Sequence, residues 1–450
     1  MYEQVGGFLG PSFNAQVNVE RMYETAMVDI FVQNSSTSMH SACGVLGSAR
    51  LAVVNFNRLL GLFRSDVYTT DPANGLYHHS ILSDVIGDGI LTVDGERWQH
   101  QRKVASYELS TKVMRDFSSA VFKTNAVKLA HIISEAATCD QAIEIQVKNI
   151  LILLGASGNG LFMKASLDSV IKIFLGIELE TMRGTNEEGT RFSNAFDEAN
   201  ANTLYRYVDF SWEIILFLNI GSEGVLKNNI EVMDQFGYKL IKSKIKTVHN
   251  LEDELPLKRR DILSRLLASG QTDPKYFRDI IFSLFVAGKD TAASTLTWFI
   301  YMVCKHPDIQ EKIAQEVREA TNLKDNSSID ELADNLTEET LSKMQYLVAA
   351  LTETSRLYPA VPLNAKVCSS DDTWPDGFSV KKGDIVGYHA YSMGRMKYIW
   401  GDAGPRICVG KDFAYREMMI FCAVLLGSYT FKLRDENKEA ELQDQVHPPY

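Results

Sequence analysis

The sequence lacks the short motifs that identify several common classes of protein. It has no Cys-x-x-Cys pair, no His-Glu-x-x-His motif, no Gly-x-x-x-x-Gly-Lys-Ser/Thr phosphate loop and no EF-hand loop. Its six cysteines are scattered without paired spacing, which favours a reducing compartment over a disulfide framework. The motifs thus give no support to a zinc ribbon, a zinc peptidase, a P-loop nucleotidase or a calcium sensor.

Long apolar runs are also missing. No uninterrupted stretch approaches the roughly 18–20 apolar residues that a helix needs to cross a bilayer. Residues 1–7 have neither the basic start nor the apolar stretch of a secretory signal. The sequence by itself therefore predicts a soluble chain without a transmembrane segment.

Positive charge is in deficit, and it forms no basic stripe. The 46 lysines and arginines against 57 aspartates and glutamates give a net charge of −11, which argues against nucleic acid as a partner. The contents of 45% hydrophobic and 23% charged residues are those of a globular protein. With 450 residues the chain is long enough to bury a large core.

The stretch from Gly404 to Gly410 concentrates the chemistry of the chain. It reads Gly-Pro-Arg-Ile-Cys-Val-Gly, with Arg406 two residues before Cys408 and a predicted helix, Lys411–Leu426, after it. Glycines let a backbone approach a flat ligand, and a helix N-terminus favours a thiolate. A thiolate in this position is able to ligate haem iron. A structural cysteine in a glycine-rich turn is the alternative, but the combination favours the ligand.

A second candidate lies in a polar helix predicted over residues 96–103. Trp98 and Arg102 are four residues apart and therefore share one face of this helix. Both side chains donate hydrogen bonds, so together they are able to bind one carboxylate. Taken alone, a surface helix with one half-buried tryptophan is the better interpretation.

A long helix is predicted from Pro274, at its first turn, to Cys304. It contains Gly288, and a glycine in a helix interior costs about 1 kcal/mol relative to alanine. The neighbouring Asp290 and Thr291 suggest a ligand that lies against the helix and receives protons from these side chains. Close packing of two helices through a small residue explains the glycine equally well.

A shorter helix, predicted over residues 341–358, carries Glu353 and Arg356 three residues apart. In many proteins such a pair is an ordinary surface ion pair worth about 0.2–0.5 kcal/mol. After this helix, residues 363–390 show alternating polarity and turn signals, which predict short strands. The predicted fold class is therefore mainly α with small β-sheets.

Together these stretches resemble the cytochrome P450 family of haem-thiolate monooxygenases. Four family motifs occur in the family's order over residues 87–426: the Trp-x-x-x-Arg helix, Ala-Gly-x-Asp-Thr, Glu-x-x-Arg and the cysteine loop. Each motif is weak alone, whereas the ordered set is specific. The sequence of residues 87–98 and the sequence Leu-Tyr-Pro-Ala-Val-Pro at 357–362 further resemble those of the plant fatty-acid ω-hydroxylase branch.

The resemblance implies haem b as the cofactor. The Cys408 thiolate would be the axial iron ligand, in a loop bounded by Gly404 and Gly410. Three side chains would hold the haem propionates: Arg406, Trp98 and Arg102.

The resemblance also implies the reaction and its partners. Thr291, with Asp290, would deliver protons to iron-bound dioxygen, and Glu353 with Arg356 would form a structural core pair. Electrons would come from an NADPH–cytochrome reductase, and the substrate would be a long-chain fatty acid or a similar aliphatic molecule. Relatives of this kind lie at the cytoplasmic face of the endoplasmic reticulum membrane.

The resemblance divides the chain into three parts. Residues 61–433 would be the haem-thiolate monooxygenase domain, and residues 434–450 an acidic tail. Residues 1–60 are weakly patterned, and the membrane anchor of the family is absent from them.

The chain departs from the family pattern between Arg356 and Cys408. The family has several tens more residues there, including a Pro-Glu-Arg-Phe-like segment whose arginine joins the Glu353–Arg356 pair, and it has phenylalanine at the position of Gly401. The resemblance therefore implies an incomplete cytochrome P450 fold. Two functions stay open: the monooxygenase described above, or a haem-binding or interaction protein with impaired catalysis, from a truncated gene model or splice form.

Overall fold

The computed structural model of the chain describes residues 51–53, 68–69, 77–138, 160–207, 209, 211–250, 261–267, 271, 273–323, 327–368, 370–373, 377–395 and 408–433. These residues cluster into two compact units. The smaller unit contains the described residues within Met1–Asn74 and Ser355–Arg406, and the larger unit contains those within Gly75–Thr354 and Ile407–Tyr450. Across the described ranges, no helix is both long and apolar enough to span a bilayer.

Helices dominate the described chain. In order they are α1 (Tyr77–Ile86), α2 (Gly95–Ser110), α3 (Lys112–Thr138), α4 (Leu161–Leu175), α5 (Glu187–Tyr205), α6 (Trp212–Leu218), α7 (Gly221–Asn250), α8 (Ile262–Leu267), α9 (Pro274–Lys305), α10 (Pro307–Thr321), α11 (Ile329–Asp334), α12 (Glu338–Lys343), α13 (Gln345–Leu357), α14 (Ala390–Arg395) and α15 (Lys411–Ser428). The strands are β1 (Leu51–Val53), β2 (Tyr68–Thr69), β3 (Leu363–Cys368), β4 (Asp372–Thr373), β5 (Ser379–Val380) and β6 (Ile385–His389). The predicted fold class, mainly α with small β-sheets, is confirmed.

Four helices form the centre of the larger unit. Helix α9 packs against α4 and α15, and α3 packs against the same two helices. Aromatic rings fill the space between them: the ring centroids of Phe122 and Phe413 are 5.1 Å apart, and those of Phe174 and Phe285 are 6.4 Å apart. Burying a side chain of this size stabilises the fold by about 1.5–3 kcal/mol. This apolar packing holds α9 and α15 in place, and both carry candidate site residues.

Helix α9 begins as its sequence predicts. Pro274 occupies the first turn, where its missing N–H costs nothing, and the Asp273 side chain accepts a hydrogen bond of 2.9 Å from the Lys275 N–H. Helices α5 and α7 pack together through the stacked rings of Phe192 and Phe236, whose centroids are 4.4 Å apart. Helix α7 also contacts α9.

The smaller unit is built on a four-stranded sheet in the order β1-β6-β3-β2. β1 and β6 run parallel, whereas β3 is antiparallel to both β6 and β2. A separate antiparallel pair joins β4 and β5. The prediction of short strands over residues 363–390 is therefore confirmed.

The predicted helix over residues 341–358 is wrong at its start. The structure divides this region into α12 and α13, with Met344 between them. The carboxylate of Glu316 accepts hydrogen bonds from the N–H groups of Tyr346 and Leu347, at 2.7 and 2.8 Å. These bonds satisfy two of the N–H groups that a new helix start leaves without partners, so a distant acid sets the boundary.

Candidate functional site

Cys408 lies directly before α15, as the sequence predicts. Its side chain is exposed, and Gly410 is the N-cap residue of the helix. No side chain caps that helix end, and a Cβ at Gly410 would lie 3.9 Å from the Cys408 sulfur. The sulfur is therefore open to a ligand beside exposed backbone N–H groups. Arg406 and Gly404 lie outside the described residues.

Trp98 and Arg102 share one face of α2, which confirms the predicted helix and its spacing. The guanidinium carbon of Arg102 lies 5.3 Å from the centre of the Trp98 ring, a cation–π contact. Both side chains are partly exposed. They are thus neighbouring donors on a helix that packs against α3, and α3 in turn packs against α15.

Asp290 and Thr291 lie together in the middle of α9. The Thr291 hydroxyl donates a hydrogen bond of 2.6 Å to the carbonyl oxygen of Ala287. A Cβ at Gly288 would lie 3.2 Å from a methyl group of Val170 on α4. The glycine therefore permits close contact between two helices, and this packing accounts for it without a ligand.

Sequence reasoning missed a buried charged cluster beside these residues. The ammonium of Lys289, whose residue is only 1% exposed, donates to the carboxylates of Asp197 on α5 and of Asp290, the latter at 2.9 Å. It also lies 5.6 Å from the ring centre of Phe196. Lys289 stands between Gly288 and Asp290 in the sequence, and a lysine is almost never fully buried without a partner, but no local pattern pointed to Asp197.

Burial shifts the protonation of this cluster. Desolvation raises the pKa of Asp197 to about 6, although the Lys289 ammonium opposes that change and Asp290 adds to it. The pKa of Lys289 is raised despite its burial, because both carboxylates stabilise the ammonium form. The Lys289 side chain therefore keeps its positive charge at neutral pH.

A mainly apolar cavity of about 180 Å³ opens beside Asp290. Helices α1, α4, α5 and α9 line it, together with the turn after α1. Its apolar lining is Leu82, Val85, Ile86, Leu91, Met163, Leu204 and Val286, and its polar lining is Asp197, Asn200, Thr203 and Asp290. Pockets that bind small molecules commonly combine apolar walls with a few polar groups in this way.

A second buried carboxyl lies in α15, the helix that follows Cys408. Glu417 is fully buried; one of its oxygens accepts a hydrogen bond of 2.8 Å from the Ser166 hydroxyl, and the other has no partner. Burial raises the pKa of Glu417 to about 8, while the Ser166 hydrogen bond opposes the rise. At neutral pH this side chain is therefore mostly protonated.

Glu353 and Arg356 lie in α13, as predicted. Arg356 donates a hydrogen bond from Nη1 to the carbonyl oxygen of Gly394, within the smaller unit. A Cβ at Gly394 would lie 2.2 Å from the Arg356 carbonyl oxygen, so only glycine permits this approach. A backbone carbonyl thus accepts one of the donors of Arg356. The predicted role of the pair as a structural core pair stays a prediction.

Cys408 is thus an exposed cysteine before the N-terminus of α15, and Asp290 and Thr291 lie on α9, which packs against α15. A cysteine thiolate is one of the ligands by which proteins hold haem iron. The sequence model named Cytochrome P450 matches residues 64–403 and 402–449. The chain belongs to the cytochrome P450 family, whose members are haem-dependent monooxygenases with a cysteine thiolate as iron ligand. The two matched segments meet at residues 402–403, where the sequence departs from the family pattern.

Plant proteins of the family are similar to this chain over most of its length. Cytochrome P450 704C1 of Pinus taeda is 39% identical over 82% of this chain and 79% of its own. Cytochrome P450 704B1 of Arabidopsis thaliana is 35% identical over 82% of each chain. Cytochrome P450 94A1 of Vicia sativa is 28% identical over 95% of this chain and 84% of its own.

The described residues fit the haem that the family implies. Cys408 offers an exposed sulfur atom, which is the kind of donor that binds haem iron in this family, and Gly410 has no side chain beside it. Trp98 and Arg102 offer donors of the kind that bind a propionate. The individual roles of these side chains stay predictions.

Proposed function

We propose that this chain hydroxylates a long-chain fatty acid or a similar aliphatic molecule. The observation that carries the proposal is the apolar cavity beside Asp290, whose walls are formed by seven apolar side chains. Such walls favour the binding of an alkyl chain, because each Å² of apolar surface removed from water contributes about 25 cal/mol to the binding free energy. The resemblance of residues 87–98 and 357–362 to fatty-acid ω-hydroxylases supports the same substrate class.

Residues of the larger unit would hold the cofactor and position the substrate. When bound, haem would supply the activation of dioxygen, and the Cys408 thiolate would hold its iron. Trp98 and Arg102 would bind a propionate, and the motif assigns Arg406 to the same task. The cavity walls would exclude water from the alkyl chain and place it beside α9.

Two side chains of α9 would supply protons. The Thr291 oxygen donates its proton to the Ala287 carbonyl and keeps lone pairs with which it is able to accept another. One carboxylate oxygen of Asp290 is held by the Lys289 ammonium at 2.9 Å, which fixes its orientation. Asp290 would therefore pass protons to the Thr291 oxygen from a fixed position.

The proposal includes partners and a location. A haem monooxygenase needs two electrons for each turnover, which an NADPH–cytochrome reductase would deliver, and dioxygen as the second substrate. We place the protein at the cytoplasmic face of the endoplasmic reticulum membrane, with residues 61–433 as the catalytic domain.

The test is an incubation of the haem-loaded chain with dodecanoate, NADPH, a plant reductase and ¹⁸O-labelled dioxygen. The expected product carries one labelled oxygen on the alkyl chain. Val286→Phe, which narrows the cavity, should lower conversion without changing the haem spectrum, whereas Val225→Phe, at an exposed position on α7, should leave conversion unchanged. Conversion that is equal in the two variants would show that the cavity does not hold the substrate.

Impaired catalysis is the second candidate function. Two observations favour it: the family match is divided at residues 402–403, and Arg356 donates to a backbone carbonyl. The discriminating measurement is haem per polypeptide in the pyridine haemochrome assay. Full occupancy together with labelled product would exclude this candidate, and low occupancy would support it.

A further inference from the structure

The polar end of the cavity contains hydrogen-bonding groups that the fold leaves without partners. Asn200 Nδ2 and Thr203 Oγ1 are buried and make no hydrogen bond to any described part of the chain, and their residues are only 9% and 2% exposed. Both residues line the cavity, on the same side of α5 as Asp197. Buried polar groups normally make hydrogen bonds. Two buried groups without such bonds at one end of one cavity indicate that a bound ligand supplies the missing partners.

Charge at this end selects against an anion. Asp197 and Asp290 line the same cavity as the unpartnered groups, and the buried Lys289 ammonium already bonds to both carboxyl groups. One ammonium therefore serves two acidic side chains at this end of the cavity. A carboxylate placed beside them would meet like charge in a poorly solvated site, which is unfavourable.

The available groups both donate and accept. The Asn200 amide and the Thr203 hydroxyl are able to donate, and Asp290, whose side chain is 29% exposed, accepts one hydrogen bond from Lys289 and retains capacity for more. A hydroxyl group matches this arrangement, because it accepts from the first two and donates to the third. An ether or a plain alkyl end leaves at least one of these groups unsatisfied.

We propose that the polar end of this cavity binds a hydroxyl group on an aliphatic chain. The inference rests on the proposed function, since it names the substrate class of the same cavity: hydroxylated aliphatic chains are preferred over unsubstituted chains and over chains that place a carboxylate here.

The test compares three ligands of matched length by titration calorimetry on the full chain produced with haem. Octan-1-ol donates and accepts, 1-methoxyheptane has the same number of atoms but only accepts, and octanoate is an anion. The alcohol should bind about tenfold more tightly than each of the others, the size expected for a buried polar group left unpaired. Equal binding of the alcohol and the ether, or tighter binding of octanoate, would overturn the proposal.

Variants assign the effect to the named atoms. Thr203→Val and Asn200→Leu should each weaken octan-1-ol binding by about tenfold and leave 1-methoxyheptane binding unchanged. Thr190→Val is the matched control, because Thr190 Oγ1 is also buried without a partner on α5 but does not line the cavity. Loss of the alcohol's advantage in Thr190→Val, or its retention in both other variants, would refute the assignment.

Failure of this inference and failure of the proposed function give different results. If Val286→Phe abolishes dodecanoate conversion while Thr203→Val leaves octan-1-ol binding intact, the cavity holds the substrate and the hydroxyl preference is wrong. If Val286→Phe abolishes octan-1-ol binding but leaves conversion unchanged, the hydroxyl site stands and the substrate lies elsewhere.

Discussion

Replacing the buried carboxyl of Glu417 with an amide should change how stability depends on pH. In the folded chain burial raises the pKa of Glu417 to about 8, whereas an unfolded glutamate titrates near 4.5. The folded state therefore holds its proton to higher pH than the unfolded chain does. As pH rises from about 4.5 to about 8, the unfolded chain is ionised first, and the free energy of unfolding falls.

The size of this effect follows from the two pKa values. One pKa unit corresponds to about 1.4 kcal/mol, so the full loss between about pH 4.5 and about pH 8 is on the order of 5 kcal/mol. Domains have only about 5–15 kcal/mol of net stability. Glu417→Gln keeps an oxygen for the Ser166 hydroxyl and cannot ionise. The variant should therefore match the wild type near pH 5 and exceed its stability at pH 8.5.

The assay is urea denaturation at pH 5.0 and 8.5, followed by tryptophan fluorescence, with midpoint and slope compared for each protein. Glu339→Gln is the control, because Glu339 lies on the surface in an ion pair with Lys343 and is ionised at both pH values. It should show the wild-type difference between the two conditions. If the wild type and Glu417→Gln lose the same free energy between pH 5.0 and 8.5, the buried carboxyl is not protonated and the reasoning is refuted.

Three further predictions concern the haem site. Cys408→Ala should abolish the red-shifted Soret band of the reduced carbon monoxide complex, which Cys304→Ala should retain; a surviving band would mean that another residue binds iron. Thr291→Ala should keep haem but divert electrons into hydrogen peroxide, with a loss in the rate of hydroxylation of about 10²–10⁴-fold. Thr297→Ala, which removes a similar hydrogen bond within α9, should keep the wild-type ratio of product formed to electrons consumed. An equal ratio in the two variants would show that Thr291 takes no part in the mechanism. Inserting a family-like segment between Gly401 and Ala403 should raise the amount of haem bound per polypeptide above that of the unaltered chain. Full haem occupancy of the unaltered chain would show that the short connection between Arg356 and Cys408 is tolerated.

Local patterns in the sequence were sufficient for much of the fold. Pro274 marked the start of α9, and the spacing of Trp98 and Arg102 placed them on one face. The helix after Cys408 begins at Lys411 as predicted and continues to Ser428. These features depend on residues within a few positions of one another, which is the range over which helical periodicity and capping act.

The features of the site and fold that the sequence did not predict depend on residues that are far apart in the chain. Lys289 is 92 residues from Asp197, and Glu417 is 251 residues from Ser166, so no local pattern joins either pair. The boundary between α12 and α13 has the same cause, because the acid that satisfies the new helix start lies about 30 residues earlier, at Glu316.

The burial of α15 has a consequence for the evolution and engineering of the chain. From Met418 to Leu426 nearly every side chain is buried, and the Ser166 hydroxyl fixes the rotation of the helix through Glu417. Packing thus holds α15, which begins three residues after Cys408. Substitutions that loosen the buried face of this helix should therefore also disturb the neighbourhood of Cys408, although they lie far from it in sequence.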